Sequence, residues 1–110
     1  MFRYLGKVGK EVSLEEGVLS ARDACLNCLA SLKKELGTLD AVTKIIKLVG
    51  YVNSAPGFYQ QPQVINGASD LLVELWGEVG RHARSAIGTA ELPVNTSVEL
   101  DLIVEIKKED

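Results

Sequence analysis

The sequence predicts an α+β domain in which two helices pack on one face of a small mixed β-sheet. Three observations carry this reading. The chain has 110 residues, enough for one hydrophobic core and too few for two. Two stretches repeat apolar residues every three or four positions, the helical period. Three others are β-branched or alternate apolar with polar, as strands do. Their order, helix, strand, helix, strand, strand, fits a mixed sheet with both helices on the same side.

The opening "MFRYLGKVGKEV", 1–12, has loop-like glycine spacing and supplies at most a short strand end, a brief N-terminal remnant before the single domain proper. "SLEEGVLSARDACLNCLASLKKELG" reads as the first helix. Ser13 and Glu16 have capping-box spacing, and Gly37 offers a left-handed stop. Val18, Ala21, Cys25, Leu29, Leu32 and Leu36 form its core stripe. "VTKIIKLVGYVN", 42–53, is apolar on both parities, which predicts a central strand covered on both sides. "SAPGFYQQPQ" holds two prolines and a glycine and reads as a loop. From 64 to 79 the helical period returns through Ile65, Ala68, Leu72, Leu75, Trp76 and Val79, with Gly80 as the stop. "RHARSAIGTA" is strand-like and "ELPVN" has turn chemistry. "SVELDLIVEI" sets Val98, Leu100, Leu102, Val104 and Ile106 on one face and Ser97, Glu99, Asp101 and Glu105 on the other. Residues 83–106 are therefore expected to form a hairpin turning near Pro93.

An apolar fraction of 46% and a net charge of −3 describe a globular chain. With no Lys/Arg block it lacks the basic stripe that marks a nucleic-acid binder, so nucleic acid is a disfavoured partner. No run approaches the roughly 20 apolar residues of a membrane helix, and the N-terminus has no signal-peptide pattern. A cytoplasmic location without membrane attachment is the expectation, and two cysteines three apart in one helix suit a reducing compartment. Three strands leave unpaired edges and one bare face, which predicts assembly with copies of the same chain and a site where chains meet.

Arg84 is the leading candidate for ligand contact. In a hairpin centred near Pro93 it shares a face with Ala86, Gly88 and Glu99, and the small residues leave room for a ligand. A guanidinium grips a carboxylate through paired charge-assisted hydrogen bonds. Arg84 and Glu99 would then lie roughly 13 Å apart along the strands and bracket a small molecule. The bland alternative, which spacing alone favours, is an ion pair of Arg84 with Glu99, Asp101 or Glu105. A one-residue slip of register would reverse the faces. "CLNC", Cys25 to Cys28, lies well inside a helix and away from the N-terminus that would activate a thiol. Zinc is not expected, since no other cysteine and one histidine remain to complete a site. His82 has no neighbouring nucleophile or orienting group in sequence and reads as a surface residue, and "GKVGK" is too short for a phosphate loop.

"HARSAIGTAELPVNTSVELDLIVEI" resembles the C-terminal signature of the RidA family of reactive enamine/imine deaminases, long described as translation inhibitors or perchloric-acid-soluble endoribonucleases. The shared elements fall at Ala83-Arg84-Ser85, Leu92-Pro93 and Val98-Glu99. "NGASDLL" and "GRHARS" are similar to a less characterised subgroup of it, and the resemblance spans about residues 13–106. It implies a chorismate-mutase-like fold, a homotrimer with ligand clefts between subunits, and no cofactor. It also implies hydrolysis of small carboxylate-bearing enamines or imines such as 2-aminoacrylate to keto acids and ammonia. Arg84 would bind the substrate carboxylate, Glu99 would position or activate water, and Asn66 would lie near the cleft, with Ala86 where well-studied members have cysteine. The family's opening β-hairpin, with a cleft tyrosine and a Ser-Gly element, is expected to be missing, and Tyr4 does not match that tyrosine. A non-catalytic ligand-binding trimer and an endoribonuclease are the alternative readings. Because the polar side of the last strand would face the three-fold axis, the trimer is expected to have a hydrated centre relieved by Arg84, Lys44 or Lys47.

Overall fold

The computed structural model describes residues 4–107. Helix α1 spans Leu14–Leu36 and strand β1 Val42–Asn53. Helix α2 spans Gln61–Trp76, and strands β2 and β3 span Ala83–Thr89 and Val98–Ile106. The capping box at Ser13 and Glu16 is formed, and Gly37 closes α1 in the left-handed region at φ 81°. These local signals act within one turn of chain, so they survive the tertiary context unchanged.

The sheet order is β2-β1-β3. β2 runs parallel to β1, with Leu48 opposite Arg84 and Gly50 opposite Ala86. β3 runs antiparallel to β1, with Tyr51 opposite Glu99 and Val49 opposite Asp101. The expected hairpin between β2 and β3 is therefore not made, and the two strands flank opposite edges of β1. The cause lies in "ELPVN", where Pro93–Asn95 form a short 3-10 turn with Val94 and Asn95 at positive φ, 51° and 57°. This turn carries the chain past the end of β1 instead of folding it back on β2. The twelve-residue β1 then offers a full edge to each neighbour.

β1 is central but covered on one face only. Two register shifts against β3, between Val42 and Lys44 and between Ile45 and Lys47, each let an extra residue of β1 slip past its partner. They keep Val42, Ile45 and Leu48, three apart, all buried, after which Gly50 and Val52 continue the inward face by simple alternation. The apolar residues on both parities thus reflect bulges rather than a second covering layer. The other face, with Lys47, Tyr51, Ile87, Glu99, Asp101 and Ile103, is open.

α2 begins earlier and ends earlier than the 64–79 span. Gly77, at φ 60°, caps it, and a 3-10 turn over Gly77–Gly80 follows, so Gly80 is a buried turn residue and not the stop. Leu75 and Val79, expected in the core, are 53% and 43% exposed, while Val64 and Leu71 are buried in their place. Ile65, Ala68 and Leu72 are common to both stripes; because α2 ends at Trp76, Leu75 lies in its last turn and Val79 falls outside it, in the 3-10 turn. At the far end, Ser20 and Ser97 share a buried 2.6 Å hydrogen bond that ties α1 to the start of β3.

Two glycines allow α2 to sit close to its neighbours. A Cβ on Gly67 would overlap the Val18 carbonyl oxygen of α1, and one on Gly50 would overlap the Ile65 side chain of α2. Gly67→Ala is accordingly expected to destabilise the chain by about 2 kcal/mol, because overpacking against backbone outweighs the gain in helix propensity of about 1 kcal/mol. Chemical denaturation measures this, and an unchanged or raised midpoint would refute the close approach.

Candidate functional site

Arg84 stands on β2 opposite Leu48, on the side of the sheet that the helices cover, but at the outer edge, where its side chain stays exposed. From there it reaches α2. Its Nη1 donates to Asn66 Oδ1 at 2.6 Å and to Ser69 Oγ at 3.2 Å. Asn66 and Ser69 are three residues apart and so share one side of the helix. Both partners are neutral, so the guanidinium is oriented without losing its net charge to a carboxylate. The ion pair with Glu99, Asp101 or Glu105 does not form.

Glu99 lies on the opposite, open face, across from Tyr51. The expectation that Arg84 and Glu99 share a face and bracket one ligand is overturned, because β1 stands between their strands and the two side chains leave opposite faces. Asn66, which the resemblance placed only near the cleft, is brought against Arg84. Ala86 is on the Arg84 face but packs against the core. The space expected above Ala86 and Gly88 is filled, since the Gln61 amide lies over Gly88 and donates to Ser54 Oγ and to the Phe58 carbonyl. The room beside Arg84 lies instead toward the start of β2. There a surface cavity of about 220 Å³ is lined by Ser69, Val73, Arg81, His82 and Arg84.

That cavity places His82 where sequence reasoning did not. Its Nε2 is 2.9 Å from Ser69 Oγ, and its Nδ1 is 2.6 Å from the Gly80 carbonyl oxygen. Far from lacking a hydroxyl partner and an orienting group, the imidazole has both. Ser69 is thirteen residues away in sequence, which is why local inspection misses it. The discoverable signal was two short spacings, Asn66 with Ser69 on a helix and His82 with Arg84 on extended chain.

The open face has its own polar contact. Tyr51 Oη donates to Asp101 Oδ2 at 3.1 Å, and this hydrogen bond, with smaller contributions from desolvation and the nearby Asp101 and Glu99 charges, raises the Tyr51 pKa above its ordinary value.

The family model described as "YjgF/chorismate_mutase-like, putative endoribonuclease" matches residues 1–106. This chain belongs to that family. Protein TCP17 of Trypanosoma cruzi is 44% identical over 102 residues, covering 92% of this chain and 64% of its own length. The crystal structure of Atu1372 from Agrobacterium tumefaciens, a protein of unknown function, superposes with a TM-score of 0.90 at 48% identity, covering 93% of this chain and 66% of that one. A "putative endoribonuclease" from Shewanella oneidensis superposes equally well, TM-score 0.90 at 35% identity, covering 94% of this chain and 68% of that one. The chain thus spans less than two thirds of the length of TCP17 and of the Atu1372 chain. Two helices on a three-stranded mixed sheet are the chorismate-mutase-like arrangement of this YjgF-type family.

Other candidates take structural roles in this family member. Cys25 is buried with its Sγ 3.9 Å from the Ala68 carbonyl oxygen, and burial pushes its pKa up to about 12. Burial, with a smaller contribution from Asp101, also raises Cys28. Among the described residues no group of three His, Cys, Asp or Glu side chains is placed to hold a metal ion. No helix among them is long and apolar enough to cross a membrane. "GKVGK" forms a turn with Gly6 and Gly9 at positive φ, from which Lys7 Nζ donates to the Asn53 side chain and the Ala90 carbonyl. In native protein, one thiol per chain, the half-buried Cys28, is expected to react with an aromatic disulfide reagent, and Cys25 only after unfolding. Two fast thiols in the native state would contradict the packing of Cys25.

Proposed function

We propose that this chain assembles with copies of itself, as a trimer, into a hydrolase of small enamine and imine acids that needs no cofactor. The observation that carries the reading is the exposed Arg84 guanidinium held by neutral Asn66 and Ser69 side chains over a small cavity. One of its nitrogens makes both contacts, so the remaining donors are free to take a carboxylate in parallel hydrogen bonds. The reaction asks for little beyond positioning. Water adds to an electrophilic C=N carbon, and binding the carboxylate brings that carbon to a fixed place.

Assembly supplies what one chain separates. Glu99 is on the open face and Arg84 is at the β2 edge, so for both to serve one substrate they must come from different copies. The open face favours association, since Ile87 and Ile103 are 45% and 55% exposed beside Tyr51 and Val49. On this face Lys47 stands level with Ile103 and Lys44 level with Glu105, within the same strand pair as the carboxylates, and Tyr51 donates to Asp101. Arg84 takes no part in this, being on the other face. The two thiols, neither in a disulfide, suit a protein working in the reducing cytoplasm.

The ribonuclease named for the family and for the Shewanella protein is the weaker reading here, because a net charge of −3 offers no basic track for a phosphate backbone. A ligand-binding protein without turnover is separated from the hydrolase by calorimetry with keto acids alongside the rate assay.

Arg84→Ala is expected to lower kcat/KM for release of keto acid from freshly generated 2-aminoacrylate by about 100-fold, mostly through KM, as the loss of two charge-assisted hydrogen bonds implies. Equal rates for the two proteins would remove the central claim. Light scattering over a dilution series is expected to show a trimer, and a stable monomer at micromolar concentration would defeat the shared site.

A further inference from the structure

We propose that Ser69 and His82 form a proton relay serving the ligand held by Arg84, so that acid–base chemistry is available on the same face of the same chain as the carboxylate clamp. This rests on the hydrolase reading above and assigns a role to two residues that it leaves unused.

The hydrogen-bond directions follow from the partners. The Gly80 carbonyl only accepts, so His82 Nδ1 carries a proton toward it. The neutral imidazole then has its lone pair on Nε2, and the Ser69 hydroxyl donates to it across 2.9 Å. Arg84 Nη1 only donates, and it points at a lone pair of the same Ser69 oxygen across 3.2 Å. One hydroxyl thus sits between a base that accepts its proton and a cation that stabilises the oxygen losing it. The base is held in place by a third group, which is the arrangement that activates hydroxyls for proton transfer. All three side chains line the 220 Å³ cavity. Among the described residues that line the cavity, the charged ones beside His82 are Arg84 itself and Arg81, the latter paired with Glu78 at 3.1 Å. The facing residues of α2 that line the cavity, Ser69 and Val73, carry no charge.

The chemistry balances without a further reactant. A water oxygen bonds to the C=N carbon of a protonated imine, and the π pair moves to nitrogen. The water proton passes to Ser69 Oγ while the Ser69 proton passes to His82 Nε2. The imidazolium then returns a proton by the same path to the nitrogen. The C–N bond breaks, the C=O bond forms from the hydroxyl oxygen's pair, and the hydroxyl proton leaves with ammonia as ammonium. Ser69 and His82 end as they began.

The test combines kinetics with spectroscopy of the ring, which is unambiguous because His82 is the chain's only histidine. His82→Gln keeps a polar group near Ser69 but cannot cycle a proton. It is expected to lower kcat by about 100-fold with little change in KM and to abolish the acid limb of the pH–rate profile. Ser69→Ala is expected to lower kcat to a similar extent. In wild-type protein, nitrogen-15 spectra are expected to show the Nδ1–H tautomer, with an Nε2 signal that shifts when pyruvate is added and does not shift in Ser69→Ala. If wild-type protein turns over but both variants keep its rate and pH profile, the relay is overturned and the hydrolase stands. An Nε2–H tautomer in wild-type protein overturns the relay whatever the variants do, including if they fail to fold. If wild-type protein releases no keto acid above the spontaneous rate, the hydrolase reading fails and the relay falls with it.

Discussion

The structure depends on how closely α2 can approach the elements beneath and beside it. Gly67 meets the Val18 carbonyl of α1 with no room for a side chain, and Gly50 of β1 receives Ile65 of α2 where a Cβ would collide. These two contacts, on α2 residues two apart, fix the helix against both partners at once. Interiors are packed too densely for such a contact to relax by sliding. Because Asn66 lies between Ile65 and Gly67, and Ser69 less than one turn further on, the same contacts set where their polar side chains emerge. They emerge over β2, at the height of Arg84. The geometry of the polar cluster is thus a consequence of backbone proximity, not of the polar residues themselves.

The central position of β1 governs the division of functional groups. A strand with both edges paired holds β2 and β3 apart, and alternation then sends their side chains to set faces. Arg84, level with Leu48, shares its inward parity and escapes burial because it is on an edge strand. Glu99, level with Tyr51, shares its outward parity. Within one chain the cation and the carboxylate cannot meet, because β1 lies between their strands and the two side chains leave opposite faces. The Ser69–His82 pair, by contrast, is complete within the chain.

The end of β1 is closed by polar contacts. Asn53 is almost fully buried, and its amide donates to the Thr96 carbonyl at 3.2 Å while its oxygen accepts from Lys7. A buried amide without such partners would be costly. The lysine suggested by a glycine-flanked motif is therefore engaged in holding the N-terminal turn, the end of β1 and the Ala90 loop together. Val8 and Val12 of the same turn are buried and join the core directly.

What the sequence by itself determined was whatever depends on near neighbours. The capping box and glycine stop of α1, the alternation along β3, the turn character of "ELPVN" and the family resemblance were all legible, because each is written within a few residues or in a recurrent string. Arg84 and Asn66 could be named for the same reason. Tertiary structure decided the rest. The partner of each strand could not be read, because alternation specifies a face and not a neighbour, and a turn at Pro93 suits a hairpin as well as a passage to the far edge. The two bulges of β1 were hidden, since a strand apolar on both parities looks the same whether it is sandwiched or locally slipped. The cavity at His82 was invisible for a related reason: a hydrogen bond between residues 69 and 82 exists only after α2 has crossed the sheet and β2 has paired parallel to β1. Local propensity acts over one turn or one pleat, and a site assembled from two elements takes its geometry from the packing between them.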